Sequence, residues 1–374
     1  MGMHSSDLPD FPWDLLAPHK ARAESHPDGI LDFSIGSPVD PTPDLITQAL
    51  REAADSPGYP KTGGTPTLRA AIREHYRSVR GVRPPDRHAI LPTIGSKEIV
   101  ATLPSLLGLT TGDAVIHPSV AYPTYALGAR LAGATPVPAD RADALPRGTA
   151  GRVRLLWLNS PSNPTGRVAS VEELRGAVTW ARERGIVVAS DECYAALPWT
   201  EPWASAGVPS VLDPRVNGGD LTGILALYSL SKRSNAAGYR MAWICGDPLL
   251  IGPIHEIRRH MGMMMPGPVQ WAMEKALGDE THVAAQRERY RTRRGALSGA
   301  FDQAGYAIDD SQAGLYLWVR AQDGRDDWAI VADLAAKGVL VAPGSFYGES
   351  KHVRVALTAS DAATEAAVGR LAAA

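Results

Sequence analysis

Apolar and polar positions divide the chain into two regimes. From about residue 86 to 247, short β-rich apolar runs alternate with helical stretches. The candidate strands are residues 89–92, 114–118, 135–138, 153–159, 186–190, 223–229 and 241–246, bounded by Gly, Pro, Asp and Ser. Several are continuously apolar, as expected of strands buried on both faces. Residues 172–184 read as a helix between two of them, with Ser170 placed to cap its N-terminus. This rhythm predicts a mainly parallel, doubly wound α/β sheet. Ligands in such sheets sit at the carboxyl ends of the strands.

After Asp247 the rhythm stops. Residues 282–304 are rich in Arg, Ala and Glu and read as a long helix ending at Gly305. Short strands at 314–319 and 352–357 and a helix near 328–337 follow, which predicts a second, smaller α+β domain. Residues 1–30 show little periodicity and read as an arm.

Composition narrows the function classes. The chain has 374 residues and a formal net charge of −2, so its main task is not gripping nucleic acid or an anionic membrane. No apolar run is long enough to span a bilayer. The acidic N-terminus does not read as a secretory signal. The first six residues fit a loose N-myristoylation pattern, but no polybasic stretch follows to supply a second anchor. A cytoplasmic protein is expected. Two cysteines cannot build a disulfide framework, and no Cys/His cluster suggests a metal. His255 and His260 fall five residues apart, on different helix faces, and are set aside as metal ligands. Of the 38 basic residues only seven are lysine, so any lysine chemistry has few candidates.

Four features fall at carboxyl ends of expected strands. Ser229-Leu230-Ser231-Lys232 follows a buried run, with Gly238-Tyr239-Arg240 just beyond. A lysine delivered into a strand-end crevice is partly desolvated, which lowers its pKa and makes its amine a nucleophile toward carbonyls. Nearby hydroxyls and Arg240 could hold a phosphate. Asp191-Glu192-Cys193-Tyr194 places an acid at another strand end, where it must be paired or bind a cation. Asn159 to Gly166 contains an Asn-Pro-Thr-Gly turn that exposes Asn163. Thr93-Ile94-Gly95-Ser96-Lys97 passes into a helix whose free N–H groups suit an anion. Each has an ordinary structural explanation taken alone: a solvated lysine, a capping or ion-paired Asp, a plain turn. Together they match one cofactor with a phosphate, a ring nitrogen, a ring hydroxyl and an aldehyde, pyridoxal 5′-phosphate.

The chain resembles the class I/II, fold-type I pyridoxal-phosphate aminotransferases over nearly its whole length. SLSKRSNAAGYR carries the resemblance most specifically, supported by NPTG, DECY and YPKTGG in order. It is similar in particular to actinobacterial N-succinyldiaminopimelate aminotransferases, through LNSPSNPTGRV, SDECY, GLYLW, LVAPGSFYG and HVRVALTA. Residues 233–237 depart from the pattern of those proteins, which usually have a small hydroxyl at 233.

The resemblance implies the aspartate aminotransferase-like fold, with a three-layer αβα large domain and a smaller α+β domain. The large domain would span 46–280, and the small one 31–45 with 281–374. It further implies that Lys232 is the Schiff-base lysine and proton shuttle, and that Asp191 pairs with the ring nitrogen. Tyr194 and Asn163 would bind the ring oxygen, and Tyr122 would stack on the ring. Ser96, the backbone of Lys97, Ser229 and Arg240 would hold the phosphate. Tyr59 would reach a neighbouring subunit's phosphate, implying a homodimer with shared sites. Arg354 and the backbone of Gly36 would take the substrate carboxylate. The implied reaction is transfer of an amino group to 2-oxoglutarate from N-succinyl-LL-2,6-diaminopimelate, run with glutamate as donor in the biosynthetic direction. A transaminase for another amino acid and a C–S β-lyase are the alternatives.

Overall fold

The computed structural model describes residues 12–140 and 150–373. The modification pattern at residues 1–6 lies outside them. Thirteen strands are present: β1 (Leu31–Asp32), β2 (Ile90–Ile94), β3 (Ala114–His117), β4 (Thr135–Pro138), β5 (Val153–Asn159), β6 (Val187–Asp191), β7 (Ile224–Ser229), β8 (Met241–Gly246), β9 (Tyr306–Asp309), β10 (Tyr316–Ala321), β11 (Val339–Leu340), β12 (Ala342–Pro343) and β13 (His352–Ala356).

Seven strands form one sheet in the order β2-β8-β7-β6-β5-β3-β4. All are parallel except β8, which runs antiparallel to both β2 and β7. The rhythm of the sequence thus yields the expected mainly parallel sheet, and the carboxyl ends of β2, β5, β6 and β7 share one edge. Side chains along a strand point alternately to opposite faces. Along β7, Ile224, Ala226 and Tyr228 enter one apolar cluster, while Leu225 and Leu227 enter another. Helices cover both faces, which is why this strand carries no polar alternation and reads as one apolar run. The fold is the three-layer α/β architecture of aspartate aminotransferases.

A four-stranded antiparallel sheet, β12-β13-β10-β9, forms a second body with its own cluster, and β1 pairs with β11 beside it. The long helix Thr281–Gln303 connects the two bodies. Two regions add helices to those expected from the sequence. Residues 17–24 of the supposed arm form a helix, and Leu16 and Ala23 are buried in the cluster of the second body. Ala17, Ala21 and Ala23, with Pro18 in the first turn, suit a helix, and the short apolar stripe is satisfied by tertiary packing. Helices Asp44–Glu52 and Pro66–Ser78 precede the first large-sheet strand and cover one face of that sheet. Among the described residues no helix is long and apolar enough to cross a membrane, and no His/Cys/Asp/Glu group could hold a metal.

Gly246 shows how tightly β8 meets β7. Its φ is +146°, and a Cβ there would lie 2.0 Å from the Ile224 carbonyl oxygen. That carbonyl belongs to the sheet and cannot move aside. Gly246→Ala is expected to lose about 3 kcal/mol or more of stability, combining backbone strain with overpacking. Gly223→Ala, whose nearest atom is 3.8 Å away, should lose only about 1 kcal/mol. Thermal unfolding of the two variants checks this difference.

Candidate active site

The site forms where the parallel strands end. β5 and β6 finish side by side, with Asn159 opposite Asp191. Asp191 is the last residue of β6 rather than the first beyond it. β7 turns at Ser229 into the short helix Leu230–Arg233, which carries Lys232. A cavity of about 280 Å³ opens at this edge. It is lined by Gly36, Ser96, Lys97, Tyr122, Asn163, Asp191, Tyr194, Ser229, Lys232, Arg240 and Arg354. Every residue singled out from the sequence is therefore brought together except Tyr59, which is 98% exposed on this chain.

Charge in the cavity is uneven. Lys97, Lys232, Arg240 and Arg354 face one acid, Asp191. Burial holds the Lys232 amine below the usual lysine range. Its Nζ donates to the Gly36 carbonyl, and among the described residues no carboxylate pairs with it. Burial also raises the Asp191 carboxyl above its usual range. Three neutral donors support its charged form: the Cys193 thiol, the Cys193 backbone N–H at 3.1 Å and the Tyr125 hydroxyl at 3.0 Å. A buried carboxylate with neutral donors and, among the described residues, no cation suits a protonated ring nitrogen. Tyr125 thus supports the acid, while Tyr122 faces the cavity with the Lys97 ammonium 5.5 Å from its ring centre.

An anion cup lies beside them. Helix Ser96–Leu106 begins at Gly95 with no side-chain cap, which leaves N–H groups free at the positive end of the helix. Gly95 has φ +77°, and a Cβ there would lie 2.0 Å from the Arg240 guanidinium. Glycine therefore lets that cation close over the helix end. Glu98 fixes the geometry: it accepts from Ile94 N at 2.9 Å and takes a forked pair from buried Arg258 at 2.7 and 2.9 Å. Arg240 itself donates to the Ala237 carbonyl and makes no ion pair among the described residues.

Arg354 comes from β13 of the second body and is 2% exposed. It donates to Asn163 Oδ1 at 3.0 Å and the Ser34 carbonyl at 2.8 Å, while its Nε–H has no partner. Its guanidinium carbon lies 4.1 Å from the ring centre of Tyr316 and 4.9 Å from that of Tyr347. No carboxylate neutralises it among the described residues, so an anionic ligand would complete the pair.

Two contributors were not placed in the site by sequence reasoning. Tyr316 has its hydroxyl 3.2 Å from that of Tyr194. Burial pushes the Tyr316 phenol up, but Arg354 and Lys232 outweigh it and bring it below the usual range, while burial keeps Tyr194 well above. The signal was the strand pattern of GLYLW, which reads as core. Asn159 binds the Asp191 and Pro161 carbonyls and accepts from Asn163 N at 2.8 Å, fixing the turn that presents Asn163.

Residues 28–371 match the family model for aminotransferase class I and II. The chain belongs to this family. It is 52% identical to a "Probable aminotransferase" of Mycobacterium tuberculosis over 370 residues, covering 98% of this chain and 86% of that protein. It is 49% identical to the 4-dedimethylamino-4-oxo-anhydrotetracycline transaminase OxyQ of Streptomyces rimosus, over 98% of this chain and 99% of that one. A solved structure described as a probable N-succinyldiaminopimelate aminotransferase from Thermus thermophilus superimposes with a TM-score of 0.85. It is 29% identical and covers 97% of this chain and 100% of its own. Class I and II aminotransferases use pyridoxal 5′-phosphate with small amino and oxo acids. The cavity fits that cofactor. It offers an amine without a counter-ion, a carboxylate without a cation, and a guanidinium over a free helix end.

Tyr125→Phe removes a hydrogen bond to the charged form of Asp191 and should raise its pKa further. Asp191 holds a ring cation only when ionised, so this hold is present above its pKa and lost as pH falls through it. The variant should bind pyridoxal phosphate about tenfold more weakly near neutral pH. It should also lose affinity from a higher pH than the parent protein. Fluorescence titration across pH measures both effects.

Proposed function

We propose that this aminotransferase moves an amino group between N-succinyl-LL-2,6-diaminopimelate and 2-oxoglutarate, with glutamate as the amino donor in the biosynthetic direction. The observation that carries the transferase chemistry is the unpaired, desolvated Lys232 amine in one cavity with Asp191 and Arg354. Pyridoxal phosphate, when bound, supplies an aldehyde that bonds amines and a ring that takes up the electron pair released at the substrate α-carbon.

The chain's own residues do the rest. Lys232, whose amine burial makes easier to deprotonate, takes a proton from the α-carbon and returns it elsewhere through Nζ. The Gly36 carbonyl steadies that amine. Asp191 would hold the proton on the ring nitrogen, and the Tyr125 hydroxyl favours the ionised form of Asp191. Tyr194 and Asn163 donate toward the ring oxygen. Ser96, the Lys97 backbone, Ser229 and Arg240 hold the phosphate at the helix end. Tyr122 covers the ring. Arg354 binds the substrate carboxylate, with the Gly36 backbone beside it, and Tyr316 and Tyr347 keep its guanidinium flat against them.

The diaminopimelate reading is supported by the resemblance in LNSPSNPTGRV and GLYLW and by the Thermus neighbour. A second reading, amino transfer to the ketone of a polycyclic compound, is favoured by the 49% identity with OxyQ across both chains. The homodimer is supported by Tyr59, which is exposed although its loop is pinned. Arg69 donates to the Gly63 and Gly64 carbonyls at 2.7 Å, and Gln270 donates to the Lys61 carbonyl at 3.1 Å. A neighbouring subunit would cover that ring.

The test is a half-reaction screen. Loaded enzyme is mixed with N-succinyl-diaminopimelate, glutamate and other amines while its near-visible absorbance is followed. A response to glutamate and N-succinyl-diaminopimelate is expected. A response to other amines with none to N-succinyl-diaminopimelate overturns the substrate assignment. Arg354→Lys keeps the charge but loses the forked geometry. It should raise the KM for glutamate about tenfold or more, from loss of charge-assisted hydrogen bonds. Steady-state kinetics checks this.

A further inference from the structure

Lys232 sits on a helix of four residues. So short a helix has almost no internal hydrogen bonding and cannot fix its own orientation. Its shape must be set from outside, and three consecutive residues after Lys232 are held by one other helix. Arg233 is 1% exposed; it donates to Glu280 Oε1 at 2.6 Å and to His75 Nδ1 at 3.2 Å. Ser234 is wholly buried, with its Oγ 2.8 Å from His282 Nε2, while His282 Nδ1 lies 2.6 Å from Asp279 Oδ2. Asn235 takes a left-handed φ of 46° and accepts from the Tyr290 hydroxyl at 3.1 Å. Glu280, His282 and Tyr290 belong to helix Thr281–Gln303 or to the residue that caps it.

The same helix reaches the other side of the amine. Arg293 is 2% exposed and grips Asp40 with a fork at 2.7 and 2.8 Å. Its Nε donates to Asp361 Oδ1 at 2.6 Å, on the last helix. Asp40 lies four residues from Gly36, whose carbonyl takes the Lys232 amine. Thr42 closes the circuit by donating to the Asn235 carbonyl at 2.9 Å. Both the turn that carries Lys232 and the carbonyl that receives its amine are thus fastened to one helix, the connection between the two bodies. Buried charged and polar groups of this kind keep a single geometry because breaking any one leaves its partner desolvated and unpaired.

We propose that Arg233, Ser234 and Asn235 are positioning residues that tie the Lys232 turn to helix Thr281–Gln303, the helix that also holds Asp40 near Gly36, so that the lysine amine stays aimed at the substrate carboxylate site. This rests on the reading of Lys232 as the residue that moves the substrate proton. The amine and the substrate carboxylate site then keep their mutual distance. Proton transfer requires that, since a misplacement of about 1 Å costs on the order of a hundredfold in rate.

The test uses Tyr290→Phe, Ser234→Ala and the double variant in the full-length protein. Tyr290→Phe removes one hydroxyl and keeps the buried ring. Each single variant should lower kcat about fivefold to tenfold with KM for the amino donor within about twofold. The kinetic isotope effect with α-deuterated donor should rise as proton transfer becomes slower. Without cofactor, hydrogen exchange at residues 230–236 should accelerate while Ile224–Ser229 stays protected. His282→Gln, which can still bond Ser234, should retain more activity than His282→Ala. If Tyr290→Phe and the double variant leave kcat and the isotope effect unchanged, or exchange at 230–236 no faster than in the parent, the proposal is overturned. Lys232→Ala is run alongside. Surviving turnover there would overturn the reading of Lys232, whatever the latch variants show.

Discussion

The structure depends on keeping one amine out of water without giving it a counter-ion. Burying Lys232 beside a carboxylate would have been simpler, because an ion pair offsets part of the desolvation cost. That pairing would also have held the amine as a cation and removed its use. The fold instead gives the amine a carbonyl partner from Gly36 and places the acid, Asp191, at the end of a neighbouring strand with neutral donors of its own. Both groups then sit off their usual pKa values in directions set first by burial. A parallel sheet covered on both faces supplies this arrangement. Its strand ends are dry enough to desolvate a side chain and lie close enough together to aim several at one point.

The remaining charges follow from that choice. Arg240 over an uncapped helix end and Arg354 on β13 are both cations without acids among the described residues. They stand on different elements, one in the seven-stranded body and one in the four-stranded body. A ligand bearing a phosphate and a substrate bearing a carboxylate would neutralise them separately. The near-balanced net charge of the chain is therefore no guide to the site, where cations dominate locally.

Much of this was legible in the sequence, for a physical reason. β4, β5 and β8 run over the residues expected of them, because strands buried on both faces leave continuous apolar runs ended by Gly, Pro or Asp. Strand ends open onto the cavity, so Lys232, Asp191, Asn163 and Ser96 could be singled out together by position, while their roles came from the family resemblance. What was hidden depends on pairing distant in sequence. The antiparallel course of β8 cannot be seen in a run that looks like its parallel neighbours. β1, β11 and β12 have two residues each, too few for a period. Tyr316 reads as a core strand residue, and only the approach of β10 to Tyr194 gives its hydroxyl a role. Tyr125 and Tyr122 are chemically alike and three residues apart, and only the structure separates the one that braces Asp191 from the one whose ring faces the Lys97 ammonium. The helix at 17–24 leaves little period in the sequence because its apolar stripe is narrow.

The most direct test of the central claim is loss of the α-hydrogen of glutamate in heavy water, followed by proton NMR in the absence of any oxo acid. If the Lys232 amine moves that proton, the parent enzyme loaded with pyridoxal phosphate should wash out the α-hydrogen signal. Lys232→Ala, folded and carrying the same cofactor, should leave it intact over the same period. Washout at the parent rate in Lys232→Ala would contradict the account.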